Sequence, residues 1–277
     1  MDAGHGVRAT EHPQAHDGVT TGRRAFLRTG LTAAFGWPLL GAVGTDPWAD
    51  PFLKSRPGTP TQSVGPGTTP LELARGRDAL LHLPRTWDAD TPHPLLVLLH
   101  GGRGSAQGMF QFEYVANQFG VCILVPESRH PTWDRIRDDF GPDVRFIDEA
   151  LAWTFYRCTI DPGRIALGGF SDGASYTLSL GVSNGNLFSH LIAMSPGHID
   201  ADPNRIVGRP EVFVSHGNED RVLPVQLSRS NIVPQLRSDG YAVEYLEFDG
   251  GHDPRRSVTD AAMEWFLRGV APSGEAA

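Results

Sequence analysis

The 277-residue chain predicts an α/β fold, a mostly parallel sheet of about eight strands flanked by helices. Three observations carry that expectation. From Leu71 onward, short apolar runs alternate with longer amphipathic stretches, the order expected of β-α-β units. Leu95–Leu99 reads Leu-Leu-Val-Leu-Leu without interruption, as a strand buried on both faces does. Residues 144–157 carry Phe146, Ile147, Ala150, Leu151 and Thr154 at helical spacing, which predicts a helix with one face inward.

The remaining elements follow in order. Leu71–Ala74 and Ala79–Leu83 predict a leading hairpin, 106–118 a helix and 121–125 a strand. A short strand, Arg164–Leu167, runs directly into Gly168-Gly169-Phe170-Ser171, and a small-residue helix spans 174–182. Strands at His190–Met194, Val212–Ser215 and Val243–Phe248 are separated by a helix over Val225–Ser238, and Ser257–Arg268 closes the domain. The one long irregular stretch inside the domain is 127–142, and no insertion is long enough for a large lid domain.

The domain organisation is read from composition. Thr21-Gly22-Arg23-Arg24-Ala25-Phe26-Leu27-Arg28 resembles a twin-arginine export signal and is followed by a weakly apolar run, 29–43, too short to span a bilayer. Ala42-Val43-Gly44 offers a small-x-small cleavage site. Residues 1–44 are therefore expected to be a signal peptide, giving a periplasmic or secreted protein, with a cytoplasmic protein as the alternative. Residues 45–69, dense in Pro, Gly and Thr, predict a linker, 70–271 the catalytic domain and 272–277 a disordered tail.

Charge and cysteine usage exclude several classes. A net charge of −8 argues against an electrostatic grip on nucleic acid or anionic lipid, and no stable membrane anchor is expected. Cys122 lies in an apolar run, so both it and Cys158 are expected as free buried thiols, with a disulfide between them as the alternative. Neither has a spaced partner for a metal, and neither metal nor cofactor is expected.

The chemistry concentrates at four places. Gly-x-Ser-x-Gly stands as Gly169-Phe170-Ser171-Asp172-Gly173 between a strand and a helix. That sharp turn lifts a serine hydroxyl clear of the sheet, and Ser171 is the expected nucleophile. A serine needs a base to take its proton and an acid to orient that base. Asp220 follows the strand Val212–Ser215 in His216-Gly217-Asn218-Glu219-Asp220, with Glu219 as the neighbouring alternative. His252 follows the last strand, in Asp249-Gly250-Gly251-His252. His100 and His216 sit at strand ends, where they are expected to brace loops. The carbonyl oxygen under attack becomes an anion and needs aimed donors. The backbone N–H of Asp172 supplies one. The loop His100-Gly101-Gly102-Arg103-Gly104 supplies the other, through Gly102 or, alternatively, Arg103. Trp133 and Phe140 are expected to wall the pocket, with Arg103 or Arg129 meeting an acidic substrate, since this stretch follows a strand's C-terminal end.

With these residues in view, the chain resembles the α/β-hydrolase superfamily over roughly residues 70–270. More narrowly it is similar to small phospholipase/carboxylesterase-type esterases, with polyhydroxybutyrate-depolymerase-like and feruloyl-esterase-like enzymes near by. The narrower likeness lies in His100-Gly101-Gly102-Arg103-Gly104, Gly141-Pro142-Asp143-Val144, Asp161-Pro162 before Arg164-Ile165-Ala166-Leu167, Gly169-Phe170-Ser171-Asp172-Gly173-Ala174-Ser175 and Ser195-Pro196-Gly197. The resemblance implies a metal-free esterase acting on a small-molecule ester through an acyl-enzyme. A peptidase or dienelactone-type hydrolase is the rival within the fold, and a non-catalytic binding protein the rival outside it.

Overall fold

The computed structural model describes residues 50–269. The expected signal peptide, 1–44, and the expected C-terminal tail, 272–277, lie outside the described residues.

Eight strands form one sheet: β1 (Gly67–Pro70), β2 (Ala79–Leu83), β3 (His93–Leu99), β4 (Cys122–Pro126), β5 (Ile160–Phe170), β6 (His190–Met194), β7 (Glu211–Gly217) and β8 (Val243–Phe248). Their order across the sheet is β1-β2-β4-β3-β5-β6-β7-β8. β2 runs antiparallel to both β1 and β4; every other pairing is parallel. The uninterrupted apolar text of β3 has its cause here, because the strand lies mid-sheet and both faces are covered. Leu95, Val97 and Leu99 enter one core cluster, while Leu96 and Leu98 enter the other, as the two-residue period of a strand requires.

Helices α1 (Glu113–Phe119), α2 (Asp134–Arg137), α3 (Pro142–Arg157), α4 (Asp172–Gly181), α5 (Val233–Ser238) and α6 (Arg256–Phe266) fill the crossovers. The first core takes Ile147 and Leu151 of α3, Leu178 of α4 and Leu236 of α5; the second takes Val115 of α1 and Phe266 of α6. Each of these fully buried side chains contributes about 1.5–3 kcal/mol. Both cysteines are free and buried, and burial pushes the thiol pKa of each up, that of Cys158 to about 12.

Three local expectations are corrected. The first strand is Gly67–Pro70, not Leu71–Ala74. Beyond Leu71 the chain turns at Glu72, which takes a left-handed φ of 58°, and the Asp78 carboxylate accepts from the N–H groups of Glu72 and Leu73. Residues 50–66 are also not a free linker. Leu53 is buried, the Asn184 amide binds Pro51 and Leu53, and the Asp148 carboxylate takes the N–H groups of Lys54 and Ser55. The strap satisfies its backbone through side chains of other elements, so it shows no periodicity of its own. Finally, the expected helix over 225–238 divides into a π-helix, Leu227–Ile232, and α5. Pro234 has no N–H for the carbonyl four residues back, and the wider turn accommodates it.

Candidate active site

The parallel strands end on one edge, and the loops that leave it carry the candidate residues. β5 delivers Ser171 at φ 58° and ψ −120°, a strained turn between strand and helix. Only glycine fits on either side: a Cβ on Gly169 would lie 2.4 Å from the Gly173 backbone, and one on Gly173 2.4 Å from the Leu99 carbonyl. The elbow is thus wedged against β3. The Ser171 N–H donates to the Met194 carbonyl at 2.9 Å, which fixes the turn to β6.

β7 and β8 bring the other two members. His252 Nε2 lies 2.8 Å from Ser171 Oγ, and His252 Nδ1 lies 2.6 Å from Asp220 Oδ2. Asp220 is buried, and its Oδ1 accepts the N–H groups of Val222 and Leu223, both at 2.8 Å. Burial alone would push this carboxyl up, but the His252 hydrogen bond and the two N–H groups outweigh it and hold its pKa below the usual range. Glu219, the alternative acid, is exposed and gives only its N–H, to the Gly250 carbonyl.

The loop after β3 packs directly on Ser171. A Cβ on Gly101 would lie 3.3 Å from Ser171 Cβ, and one on Gly102 2.5 Å from the Asp172 Oδ2. The Arg103 N–H is occupied by the Pro131 carbonyl at 2.5 Å, which leaves Gly102 as the loop's candidate oxyanion donor. The Asp172 N–H stands at the start of α4, where no carbonyl within the helix can reach it. His100 braces the loop from below. Its Nδ1 lies 2.7 Å from the Gly101 carbonyl, so Nδ1 carries the proton, and Nε2 accepts from the Ser128 N–H at 3.1 Å. Burial lowers its pKa and keeps the ring neutral.

Three pocket expectations change. Trp133 is fully buried and does not wall an open pocket: its Nε1–H donates to the His100 carbonyl at 2.8 Å, and its ring stacks on Tyr176 at 5.1 Å. Phe140 packs edge-on against Tyr176 and faces a cleft with Pro51, Arg135 and Ser183, a different group from that around Ser171. The Arg129 guanidinium lies 3.5 Å over the Phe146 ring and donates to the Glu127 carbonyl, so it is engaged by its own surroundings. Arg103 remains exposed on the loop, at a left-handed φ of 61°.

Sequence reasoning missed the support beneath the site. Asp134 Oδ1 accepts the Tyr176 hydroxyl at 2.8 Å, its Oδ2 accepts the Gly141 and Asp143 N–H groups, and Asp143 Oδ2 accepts the Asp134 N–H in return. Burial, reinforced by Asp134, raises the Asp143 carboxyl pKa to about 6. Thr132 Oγ1 donates to Asp172 Oδ2 at 2.7 Å, tying this stretch to the start of α4. An acid at the start of α3, one residue after Pro142, was the available signal for Asp143.

A serine at a strand-to-helix elbow of a mostly parallel eight-stranded sheet, with histidine and acid on the last two strand-end loops, defines an α/β-hydrolase fold. No protein-family model matches the chain. It is similar to a probable feruloyl esterase C of Aspergillus niger, 24% identical over 236 residues that cover 69% of this chain and 84% of the relative. It is also similar to a feruloyl esterase C of Emericella nidulans, 22% identical over 244 residues covering 72% and 87%. Among solved structures, a ferulic acid esterase of Anaeromyces mucronatus superposes with TM-score 0.56 at 17% identity, over 78% of this chain and 98% of that one. A fluorophosphonate-binding serine hydrolase of Staphylococcus aureus superposes with TM-score 0.58 at 16% identity, over 73% and 99%. The chain is thus related to ester hydrolases with the α/β-hydrolase fold.

Proposed function

We propose that this chain hydrolyses carboxylic esters through an acyl-enzyme on Ser171, with His252 as base and Asp220 as the acid that orients it. The observation that carries the reading is the unbroken line Ser171 Oγ, His252 Nε2, His252 Nδ1, Asp220 Oδ2, with steps of 2.8 and 2.6 Å across the two contacts between side chains. Ser171 Oγ attacks the ester carbonyl carbon while its proton passes to His252 Nε2. The carbonyl electron pair moves onto oxygen, where the N–H groups of Gly102 and Asp172 receive it. Collapse breaks the ester C–O bond, and His252 returns the proton to the departing alcohol. Water then repeats the attack, releasing the acid and restoring Ser171.

Esters of aromatic acids are the proposed substrate class, supported by the named activity of the feruloyl esterase relatives. Arg103, exposed on the oxyanion loop, is the residue proposed to meet an acidic group at the pocket rim. Export by the twin-arginine route is likewise proposed, from Arg23-Arg24 and the run behind them; retention in the cytoplasm by the wild-type chain, and not only by Arg23→Lys with Arg24→Lys, would refute it. The test of activity is hydrolysis of methyl ferulate and of p-nitrophenyl esters from acetate to palmitate, beside Ser171→Ala. Turnover that disappears in the variant supports the reading. Turnover that persists removes Ser171 from the chemistry.

A further inference from the structure

We infer that His216 is a positioning residue of this site, its ring holding the Asp220 carboxylate toward His252 and tempering the pull of that carboxylate on the base. The inference rests on the roles just proposed for Ser171, His252 and Asp220.

β7 carries His216 to the sheet edge one residue before its end, and the ring is fully buried. Its Nε2 lies 2.7 Å from the Leu223 carbonyl. A carbonyl only accepts, so Nε2 carries the proton. Nδ1 is then an acceptor, and it receives the hydroxyl of Ser228, itself buried on the π-helix, at 2.7 Å. One tautomer satisfies every partner. The same Nε2 lies 3.3 Å from Asp220 Oδ2, the oxygen that His252 holds at 2.6 Å, so the N–H given to Leu223 acts on that oxygen as a nearby dipole and not as a second hydrogen bond. Asp220 therefore meets backbone donors on Oδ1 and two imidazole rings on Oδ2. Leu223 closes the arrangement, since its N–H serves Asp220 and its carbonyl serves His216.

The ionisable groups facing His216 are Asp220 from its own loop, His252 from the loop after β8, and Glu247, its cross-strand partner on β8. Glu247 is engaged by Arg229. Burial lowers the His216 pKa and keeps the ring neutral. Its effect on Asp220 is thus that of a fixed dipole donor. Removing that donor leaves Oδ2 more basic toward His252, which stabilises the imidazolium and raises the pH at which the base becomes protonated. A purely structural histidine would change the amount of folded enzyme without moving that pH.

The experiment is the pH profile of kcat/KM for p-nitrophenyl acetate in the wild-type chain, His216→Phe and His216→Gln, with circular dichroism of each. The glutamine amide N–H replaces the Nε2–H; phenylalanine cannot. The expected result is a roughly tenfold fall in kcat for His216→Phe with KM little changed, small beside the ~10⁴-fold loss when an orienting acid is neutralised. The acid limb moves to higher pH in His216→Phe and returns toward the wild-type position in His216→Gln. If His216→Phe does not fold, His216→Met, which also lacks an N–H, takes its place and is expected to move the limb in the same direction. An unmoved limb in the folded variant, or a glutamine variant as impaired as the phenylalanine one, overturns the role of His216 while leaving the triad intact. A wild-type chain that neither cleaves the ester nor takes a fluorophosphonate at Ser171 overturns the triad reading and this one with it.

Discussion

Ser171 and His252 stand 81 positions apart in the chain, yet Ser171 Oγ and His252 Nε2 lie 2.8 Å from each other. The elbow after β5 and the loop after β8 meet because β6 and β7 set the spacing between them across the parallel sheet. The proposed chemistry is therefore a property of the sheet edge as well as of the three side chains.

Asp220→Asn is expected to leave the fold in place and lower kcat by about 10³–10⁴-fold, because the amide offers His252 Nδ1–H the wrong partner. Steady-state kinetics with p-nitrophenyl acetate check it. Glu219→Gln, at the exposed neighbour, is expected to stay within twofold or so of wild type.

The oxyanion loop makes a steric prediction. Gly102→Ala places a Cβ 2.5 Å from the Asp172 carboxylate, which Thr132 holds in place. Either the loop or the carboxylate must give way, and kcat is expected to fall by up to ~10²-fold with KM little changed. Adding Asp172→Ala, which removes the obstacle, is expected to restore part of that loss. A double variant as slow as the product of the two single losses would contradict the steric account.

Much of this site was legible before the structure. Ser171, His252 and Asp220, the proposed nucleophile, base and acid, stand out because each follows a strand, and buried strands are conspicuous in the text. β6 and β8 carry the limits their apolar runs suggest. The supports were not legible. Trp133 lies in an irregular stretch with no period to say which way it faces, and its partner is a backbone carbonyl 33 positions away. The 50–66 strap and the Asp134–Asp143 exchange use side-chain-to-backbone bonds, which leave no repeating signature. His216 reads as a loop brace from its place at a strand end; that its ring also comes within 3.3 Å of Asp220, four residues on, depends on the turn at 217–220.

Trp133→Phe tests the brace beneath the loop. It leaves the His100 carbonyl without its donor in a dry site, and is expected to cost about 1–3 kcal/mol in denaturant unfolding. The preference among p-nitrophenyl ester chain lengths is expected to stay the same. A changed preference would return Trp133 to the pocket wall.

The Asp220 carboxyl has a lowered pKa, which links stability to pH with a definite sign. A group whose folded pKa is depressed adds stability above its unfolded value of about 3.9 and loses it as pH falls through the folded one. Thermal melts of wild type and Asp220→Asn are expected to differ most near neutral pH and to converge below about pH 4. A gap that widens on acidification would contradict the ionised state assigned to Asp220.

The proposed role of Ser171 as nucleophile is tested by intact mass and peptide mapping after exposure to a fluorophosphonate, with Ser171→Ala alongside. One adduct per chain is expected, on the peptide carrying Ser171, and none in the variant. No adduct on the folded wild-type protein, or an adduct on another residue, would contradict it.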